Sequence, residues 1–421
     1  MTRGGRLDAR SRSWRCLRVT YDSSPLGRRQ RRGEPALAEL QVEAGRKPLR
    51  IALFTETFLP ATDGVVTRLK HTIEELRRTG DELLVFAPRY PVGGPETYAG
   101  AQIYRVFGIP FPPYPQVRLC PPNPGIGRAL KRFRPDLIHA VNPFVLGPGG
   151  AFYARRNQVP LVASYHTNVA AYARFYGFGF LENATNHWIR TWHNSARLNL
   201  CTSEATRDYL WREGIKRVRL WPQGVDARLF HPDKATKEWR ARLSGGHPEK
   251  KILLYVGRLA PEKGIERLKA ALEADPDARL AIVGKGPAHE DLEKEFAGTP
   301  TVFTGLLTGE DLAAAYASSD LFVFPSTTET LGMAMIEALA SGVPVVAARG
   351  GASHEIVDEA ATGLLYEPRS LSTMTLAVRR VLSDDFLRWR MSREARIAAE
   401  DRSWKAATAA LRGCYEEALA P

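Results

Sequence analysis

Lys251-Ile252-Leu253-Leu254-Tyr255-Val256-Gly257-Arg258-Leu259-Ala260-Pro261-Glu262-Lys263-Gly264 is the stretch on which the reading of the fold turns. Ile252–Val256 is an unbroken apolar run, which suits a strand covered on both faces. A glycine ends it, and a loop with two cations and a proline follows. Downstream, short apolar runs recur at Ala278–Val283, Val302–Phe303, Leu321–Phe324, Val343–Ala347 and Gly363–Leu365. Helical spacing fills the intervals near 264–272, 288–296, 309–317 and 332–340. Upstream the same alternation runs from Leu49–Phe54 through Leu83–Ala87, Asp136–Val141, Pro160–Tyr165, Arg197–Cys201 and Arg217–Leu220, with helices expected at 64–79, 147–157 and 203–213. Strands alternating with helices predict an α/β protein with two Rossmann-like, doubly wound parallel sheets.

Domain limits follow from the gaps in this pattern. Residues 49–222 form the first expected domain and 251–395 the second. Residues 223–250, broken by glycine and proline, read as a linker. Residues 396–421 read as a C-terminal helix returning to the first domain. Open α/β sheets bind ligands beyond the carboxyl ends of their strands, so two such domains facing each other would enclose a ligand between those ends.

Composition narrows the function. The 421 residues carry 44% hydrophobic and 25% charged side chains, ordinary values for a globular protein. No run approaches the ~18 apolar residues of a membrane span. Four dispersed cysteines, Cys16, Cys120, Cys201 and Cys414, form no CxxC pair, so neither a disulfide framework nor a zinc site is expected and a reducing cytoplasm fits. Of the net charge of +13, residues 1–50 supply thirteen Lys/Arg against five Asp/Glu. The rest of the chain is only mildly basic. That suits a phosphate-bearing substrate or an anionic membrane surface and requires no specific nucleic acid.

Residues 1–48 have no strand or helix period and read as a basic, disordered tail, or as upstream sequence translated from a mis-assigned start. The next methionine after Met1 is Met333, so a later start, near Val42, would need another codon. A nucleic-acid patch or targeting peptide is the competing reading, although the stretch has no apolar core of a secretory signal.

The chemistry-bearing residues sit in loops after strands. Arg258 and Lys263 flank a turn after Ile252–Val256, as a diphosphate requires, although a bare R-x4-K pair also fits two solvated cations. Glu329 lies in the Ser/Thr-rich loop after Leu321–Phe324. Glu337 stands among apolar residues in the helix expected to begin near Gly332. A partly buried carboxylate there needs hydrogen-bond partners, which ribose or sugar hydroxyls would supply. The other reading is one acidic residue favouring a helix N-terminus and a second that is solvated. Asp275-Pro276-Asp277 spells a metal-binding D-x-D, but it falls between a helix and a strand, at the wrong end of the sheet for the cleft, and reads as a turn. Gly284-Lys285-Gly286 lacks the third glycine of a dinucleotide fingerprint.

The segment Glu329-Thr330-Leu331-Gly332-Met333-Ala334-Met335-Ile336-Glu337 resembles the E-x7-E signature of the family 4 glycosyltransferases of the GT-B fold. Gly257–Gly264 is similar to that family's diphosphate clamp, Gly284–Pro287 to its nucleotide loop, and Gly350–Val357 and Gly363–Leu365 to later segments. Phe58–Arg68 resembles its first-domain glycine loop, with Val65 in place of a second glycine, and Tyr165-His166-Thr167 its H-T position. The resemblance covers residues 49–421. It implies retaining hexosyl transfer, of mannose or glucose type, from a nucleotide-diphosphate sugar such as GDP-mannose or a UDP-sugar. It further implies no metal and no other cofactor, and a lipid or glycan acceptor. By that resemblance Glu329 and His166 meet the donor sugar, Glu337 the ribose, Arg258 and Lys263 the diphosphate. Gly64 and the helix start at Thr330, Leu331 and Gly332 lie against its phosphates. Residues 169–176 and Gly224-Val225-Asp226 are most similar to GDP-mannose-dependent mannosyltransferases and lipid glycosyltransferases. Phe175-Tyr176-Gly177-Phe178-Gly179-Phe180 either inserts at a membrane interface or packs as a loop; a cytoplasmic location is expected, and the first alternative would place the chain at the inner face of an anionic membrane. A sugar-nucleotide epimerase of the same fold, or a non-catalytic nucleotide-sugar-binding protein, is the alternative.

Overall fold

A computed structural model describes residues 46–111, 114–121, 123–166, 180 and 182–421. The basic tail before Arg46, the stretch 169–176 and the aromatic run 175–179 lie outside the described residues. Pro48–Pro421 form one compact unit built on two sheets.

The first sheet uses strands β1 (Arg50–Phe54), β2 (Glu82–Pro88), β3 (Thr97–Tyr98) and β4 (Ala101–Val106). After an antiparallel hairpin, β5 (Ile109–Phe111) and β6 (Tyr114–Leu119), it continues with β7 (Leu137–Ala140), β8 (Leu161–Tyr165), β9 (Leu198–Cys201) and β10 (Val218–Leu220). Their order is β10-β9-β8-β7-β1-β2-β4-β3, and only β3 runs antiparallel to its neighbour. β1, β2, β7, β8 and β9 are almost entirely buried, as helices on both faces require.

The second sheet comprises β11 (Ile252–Val256), β12 (Arg279–Val283), β13 (Thr301–Gly305), β14 (Leu321–Phe324), β15 (Val345–Ala348) and β16 (Gly363–Tyr366). All pairs are parallel, in the order β13-β12-β11-β14-β15-β16. Counted within the sheet this is 3-2-1-4-5-6, the doubly wound Rossmann order. The chain reverses direction between the first and fourth strands, which leaves a crevice between β11 and β14.

Three details depart from the sequence reading. Residues 223–250 are more than a linker. They contain the helix Lys237–Leu243, and Val225, Phe230 and Leu243 lie in the second core. The helix expected over 264–272 is broken, because Gly264 takes a left-handed φ of +64° between two 3-10 turns and only Leu268–Leu272 is α-helical. The strands between Pro88 and Leu119 are short and carry weak periodicity, and the sequence reading leaves them out.

The helices Leu371–Ser383 and Asp385–Glu400 cover the second core through Met374, Val378, Val381 and Met391. The last helix, Trp404–Leu419, returns to the first core with Leu411, Tyr415 and Ala418. There Arg412 Nε lies 3.0 Å from Asp81 Oδ2, with both side chains buried. Among the described residues no helix is long and apolar enough to cross a membrane.

Candidate active site

The crevice between β11 and β14 is built by two loops. After β11 the chain turns at Gly257 and reaches Lys263 through a 3-10 turn begun by Pro261. After β14 it passes through Ser326–Glu329 to the helix Met333–Ala340, entered at Gly332 with φ +70°. A Cβ at Gly332 would lie 2.1 Å from Ile356 Cδ1, so both backbone angle and space call for glycine.

These loops meet in an ion pair. Lys263 Nζ is 2.8 Å from Glu329 Oε2. The other Glu329 oxygen accepts the N–H of Leu331 at 3.1 Å and of Gly332 at 3.0 Å. Burial alone would raise the Glu329 pKa, but Lys263 and these two amides outweigh it and bring it down to about 2. The carboxylate is therefore ionised throughout the physiological range.

Arg258 Nη2 lies 2.6 Å from Oε1 of buried Glu262, and its charge also interacts with Asp63 of the first domain. The sequence reading gives Glu262 no role, because only packing shows that its carboxylate turns inward. Glu337 accepts the Tyr316 hydroxyl at 3.1 Å, and burial raises its pKa to about 7. It lies in the helix Met333–Ala340 that follows the Glu329 loop. The Gly284-Lys285-Gly286 loop after β12 packs directly on the β11 loop. Leu259 N donates to Lys285 O at 3.0 Å, and a Cβ at Gly284 would stand 1.9 Å from Gly257 O.

The first domain closes the cleft from the other side. Asp63 Oδ1 accepts the N–H of Val66 at 2.9 Å and caps the helix Gly64–Arg78. A Cβ on Gly64 would lie 3.9 Å from Met333 Cγ, so the N-terminal ends of two helices, one from each domain, face each other. His166 follows β8 and is 2% exposed. Its carbonyl accepts the Thr330 hydroxyl at 2.6 Å, and the Thr202 hydroxyl, after β9, donates to Thr330 O at 2.5 Å. Further along, Glu355 accepts the N–H groups of Glu204 at 2.7 Å and Ala205 at 2.8 Å, capping the helix Glu204–Arg212 from the opposite domain. The carboxyl ends of the two sheets thus face each other. Thr202, Glu355 and Asp63 are cross-cleft groups that the sequence reading gives no role. Asp63 alone had a local signal, as a helix cap.

His166 is held by Ser164 Oγ, 2.9 Å from its Nε2, while Nδ1 has no partner among the described residues. Burial and the positive charge of Arg68 hold its pKa well below the ordinary histidine value, so the ring is neutral. Asp275 and Asp277 form an exposed turn, Asp277 N to Asp275 Oδ1 at 2.9 Å, just before β12 and away from the cleft. Among the described residues no group of three or more His, Cys, Asp or Glu is arranged to hold a metal ion.

Comparison with known proteins agrees with this architecture. The family described as Glycosyltransferase Family 4 matches residues 62–229, and that described as Glycosyl transferases group 1 matches 237–398. The chain is 40% identical over 381 residues to sulfoquinovosyl transferase SQD2 of Arabidopsis thaliana, spanning 89% of this chain and 74% of that one. It is 36% identical over 380 residues to a GDP-mannose-dependent alpha-mannosyltransferase of Corynebacterium glutamicum, spanning 89% and 90%. Alpha-monoglucosyldiacylglycerol synthase of Streptococcus pneumoniae is 29% identical over 336 residues, 76% of this chain and 75% of that one. Among solved structures, sucrose-phosphate synthase from Thermosynechococcus elongatus superposes with a TM-score of 0.74 at 23% identity, covering 88% of this chain and 99% of that one. Two Rossmann-like domains meeting at their strand ends, with these matches across both, identify the chain as a member of the family 4, group 1 glycosyltransferases of the GT-B fold.

Proposed function

We propose that this glycosyltransferase moves a hexosyl group of mannose or glucose type from a nucleotide-diphosphate sugar to a lipid or glycan acceptor, retaining the anomeric configuration and using no metal ion. The observation that carries this reading is the Lys263–Glu329 pair at the crevice where the second sheet reverses direction. Lys263 and Arg258 would take the diphosphate, whose negative charge grows as the glycosidic bond breaks. The amides at Leu331 and Gly332 and the helix start behind Thr330 would add to that stabilisation. Glu329, ionised beside the breaking bond, would oppose the positive charge that develops on the sugar. Glu337 would accept the ribose hydroxyls, Gly64 would let the backbone of the first domain approach the phosphates, and His166 would hydrogen-bond the sugar. Retention follows if the acceptor attacks from the leaving-group face, where the departing phosphate oxygen takes its proton.

Support for donor and acceptor comes from the relatives named above, one with GDP-mannose and one with diacylglycerol in its name. A lipid acceptor and the mildly basic chain support work at the cytoplasmic face of an anionic membrane. The test is a screen of GDP- and UDP-hexoses, each with diacylglycerol and with soluble glycan acceptors, reading nucleoside diphosphate release and the anomer of the product. Release of diphosphate with no acceptor glycosylated, or a product of inverted configuration, would overturn this reading. A sugar-nucleotide epimer formed without any acceptor would favour the epimerase alternative.

A further inference from the structure

A buried chain of hydrogen bonds runs from the last helix to His166. The Tyr415 hydroxyl is 2.7 Å from His139 Nδ1. His139 Nε2 is 2.9 Å from Ser164 Oγ. Ser164 Oγ is 2.9 Å from His166 Nε2. Tyr415, His139 and Ser164 are fully buried, and His166 is nearly so. The chain ties the C-terminal helix to the first sheet: Tyr415 comes from that helix, His139 from β7, and Ser164 from β8, two residues before His166.

Proton count gives the chain a direction. Both imidazoles are neutral, since burial and the nearby charge of Arg68 lower the pKa of each. Each ring therefore carries one N–H and one bare nitrogen. The Tyr415 hydroxyl has a single partner among the described residues, His139 Nδ1, so its proton must go there or be buried without an acceptor, which is costly. His139 then accepts at Nδ1 and carries its own proton at Nε2, which it donates to Ser164 Oγ. The Ser164 proton has two acceptors to choose from, His166 Nε2 at 2.9 Å and Val141 O at 3.4 Å. The second lies at the outer limit of a hydrogen bond, so the proton goes to His166. His166 Nε2 is thereby an acceptor, and its proton sits on Nδ1, the nitrogen that has no protein partner.

We infer that Tyr415 is a positioning residue: acting through His139 and Ser164, it sets His166 as the Nδ1–H tautomer, so that the ring offers a hydrogen-bond donor to an oxygen of the transferred hexose. This rests on the reading of His166 as a donor-sugar contact. The opposite polarity would present a bare nitrogen, which repels a lone pair and accepts only from a hydroxyl proton. Tyr415 thus couples the docking of the C-terminal helix on the first domain to the hydrogen-bonding character of a group in the cleft. An anchoring role alone would leave the tautomer of His166 untouched.

The experiment is long-range proton–nitrogen NMR on the whole chain labelled with ¹⁵N-histidine, with His139→Gln and His166→Gln supplying the assignments. Protonated and bare ring nitrogens resonate far apart, so each tautomer is read directly. The wild type is expected to show His166 protonated at Nδ1 and His139 at Nε2. Tyr415→Phe keeps the ring and removes the proton source. His166 should then move toward a mixture of tautomers. In kinetics kcat should fall about fivefold, the worth of one hydrogen bond, with donor KM little changed. Ser164→Ala should have the same two effects from the middle of the chain. A wild-type His166 protonated at Nε2 overturns the proposal, as does an unaltered His166 signal in both variants. If Tyr415→Phe does not fold, the wild-type spectrum and Ser164→Ala still decide. His166→Ala separates the two layers: wild-type kcat/KM in that variant sinks the donor-site reading, whereas a slow His166→Ala with an Nε2–H wild type sinks the relay alone.

Discussion

Lys263 and Glu329 are held 2.8 Å apart by loops that leave adjacent strands of the second sheet, 66 residues apart in the chain. Each is the other's charge partner, and each side chain is 15% exposed, so the pair is partly shielded from water and from salt. The same cation that lowers the Glu329 pKa is the one proposed to receive the donor diphosphate.

Lys263→Ala is therefore expected to lower kcat by ~10²–10³, because a contact that strengthens as charge develops is lost from the transition state. Arg258→Lys should also be slow, since a point charge cannot reproduce a bidentate fork on phosphate. Steady-state kinetics with thermal melts alongside provide the check. Near wild-type kcat/KM in Lys263→Ala, with an unchanged melt, would remove the diphosphate from this crevice.

The raised pKa of Glu337, about 7, gives a pH signature. The ionised carboxylate is the better acceptor for the ribose hydroxyls proposed to meet it, so donor KM should fall as pH rises through about 7, and Glu337→Gln should abolish that step. Stability runs the other way. The folded protein keeps this proton up to about pH 7 while the unfolded chain releases it near 4.5. The stabilisation is complete below 4.5 and is lost as pH climbs to about 7. Glu56, buried after β1 with its pKa also raised to about 7, acts in the same window. Melting curves of Glu337→Gln and Glu56→Gln should each depend less on pH than the wild type's.

Glu355 holds two N–H groups of the opposite domain, at 2.7 and 2.8 Å. Losing such a cap costs roughly 1–2 kcal/mol, close to a tenfold change in the balance between joined and separated domains. Glu355→Ala should show a larger radius of gyration by small-angle scattering and a lower kcat. An unchanged radius would mean that this carboxylate does not hold the domains together.

Arg412 and Asp81 are 3% and 2% exposed at the side chain, and they tie the last helix to the start of β2. Arg412→Met leaves the Asp81 carboxylate buried beside Leu49 N without its cation, which should cost about 3–5 kcal/mol. Denaturant titration measures it. A loss below about 1 kcal/mol would show that the carboxylate finds another partner or water.

Donor turnover in EDTA should match that in buffer, because cationic side chains and backbone amides are proposed to meet the leaving diphosphate. A loss restored by Mg²⁺ or Mn²⁺ would assign part of that task to a metal.

Local sequence determined what depends on near neighbours. Ile252–Val256 and Leu321–Phe324 are unbroken apolar runs and become strands because nothing in them tolerates water. Arg258, Lys263 and Glu329 stand in the loops directly after those runs, so their place at strand ends follows from a few residues on either side. The Gly332 helix entry and the Ser203 cap are likewise local. Tertiary structure alone decided which strands become neighbours. β11 lies beside β14 instead of β13, and that crossover brings Lys263 to Glu329. It also decided that the Glu262 carboxylate turns inward to Arg258, that Glu355 caps a helix about 150 residues earlier, and that Tyr415 reaches His139 across 276 residues. These contacts leave no periodic trace in the chain. A hydrogen bond between distant residues needs only one suitable group at each end, and which ends meet is set by the packing of whole layers.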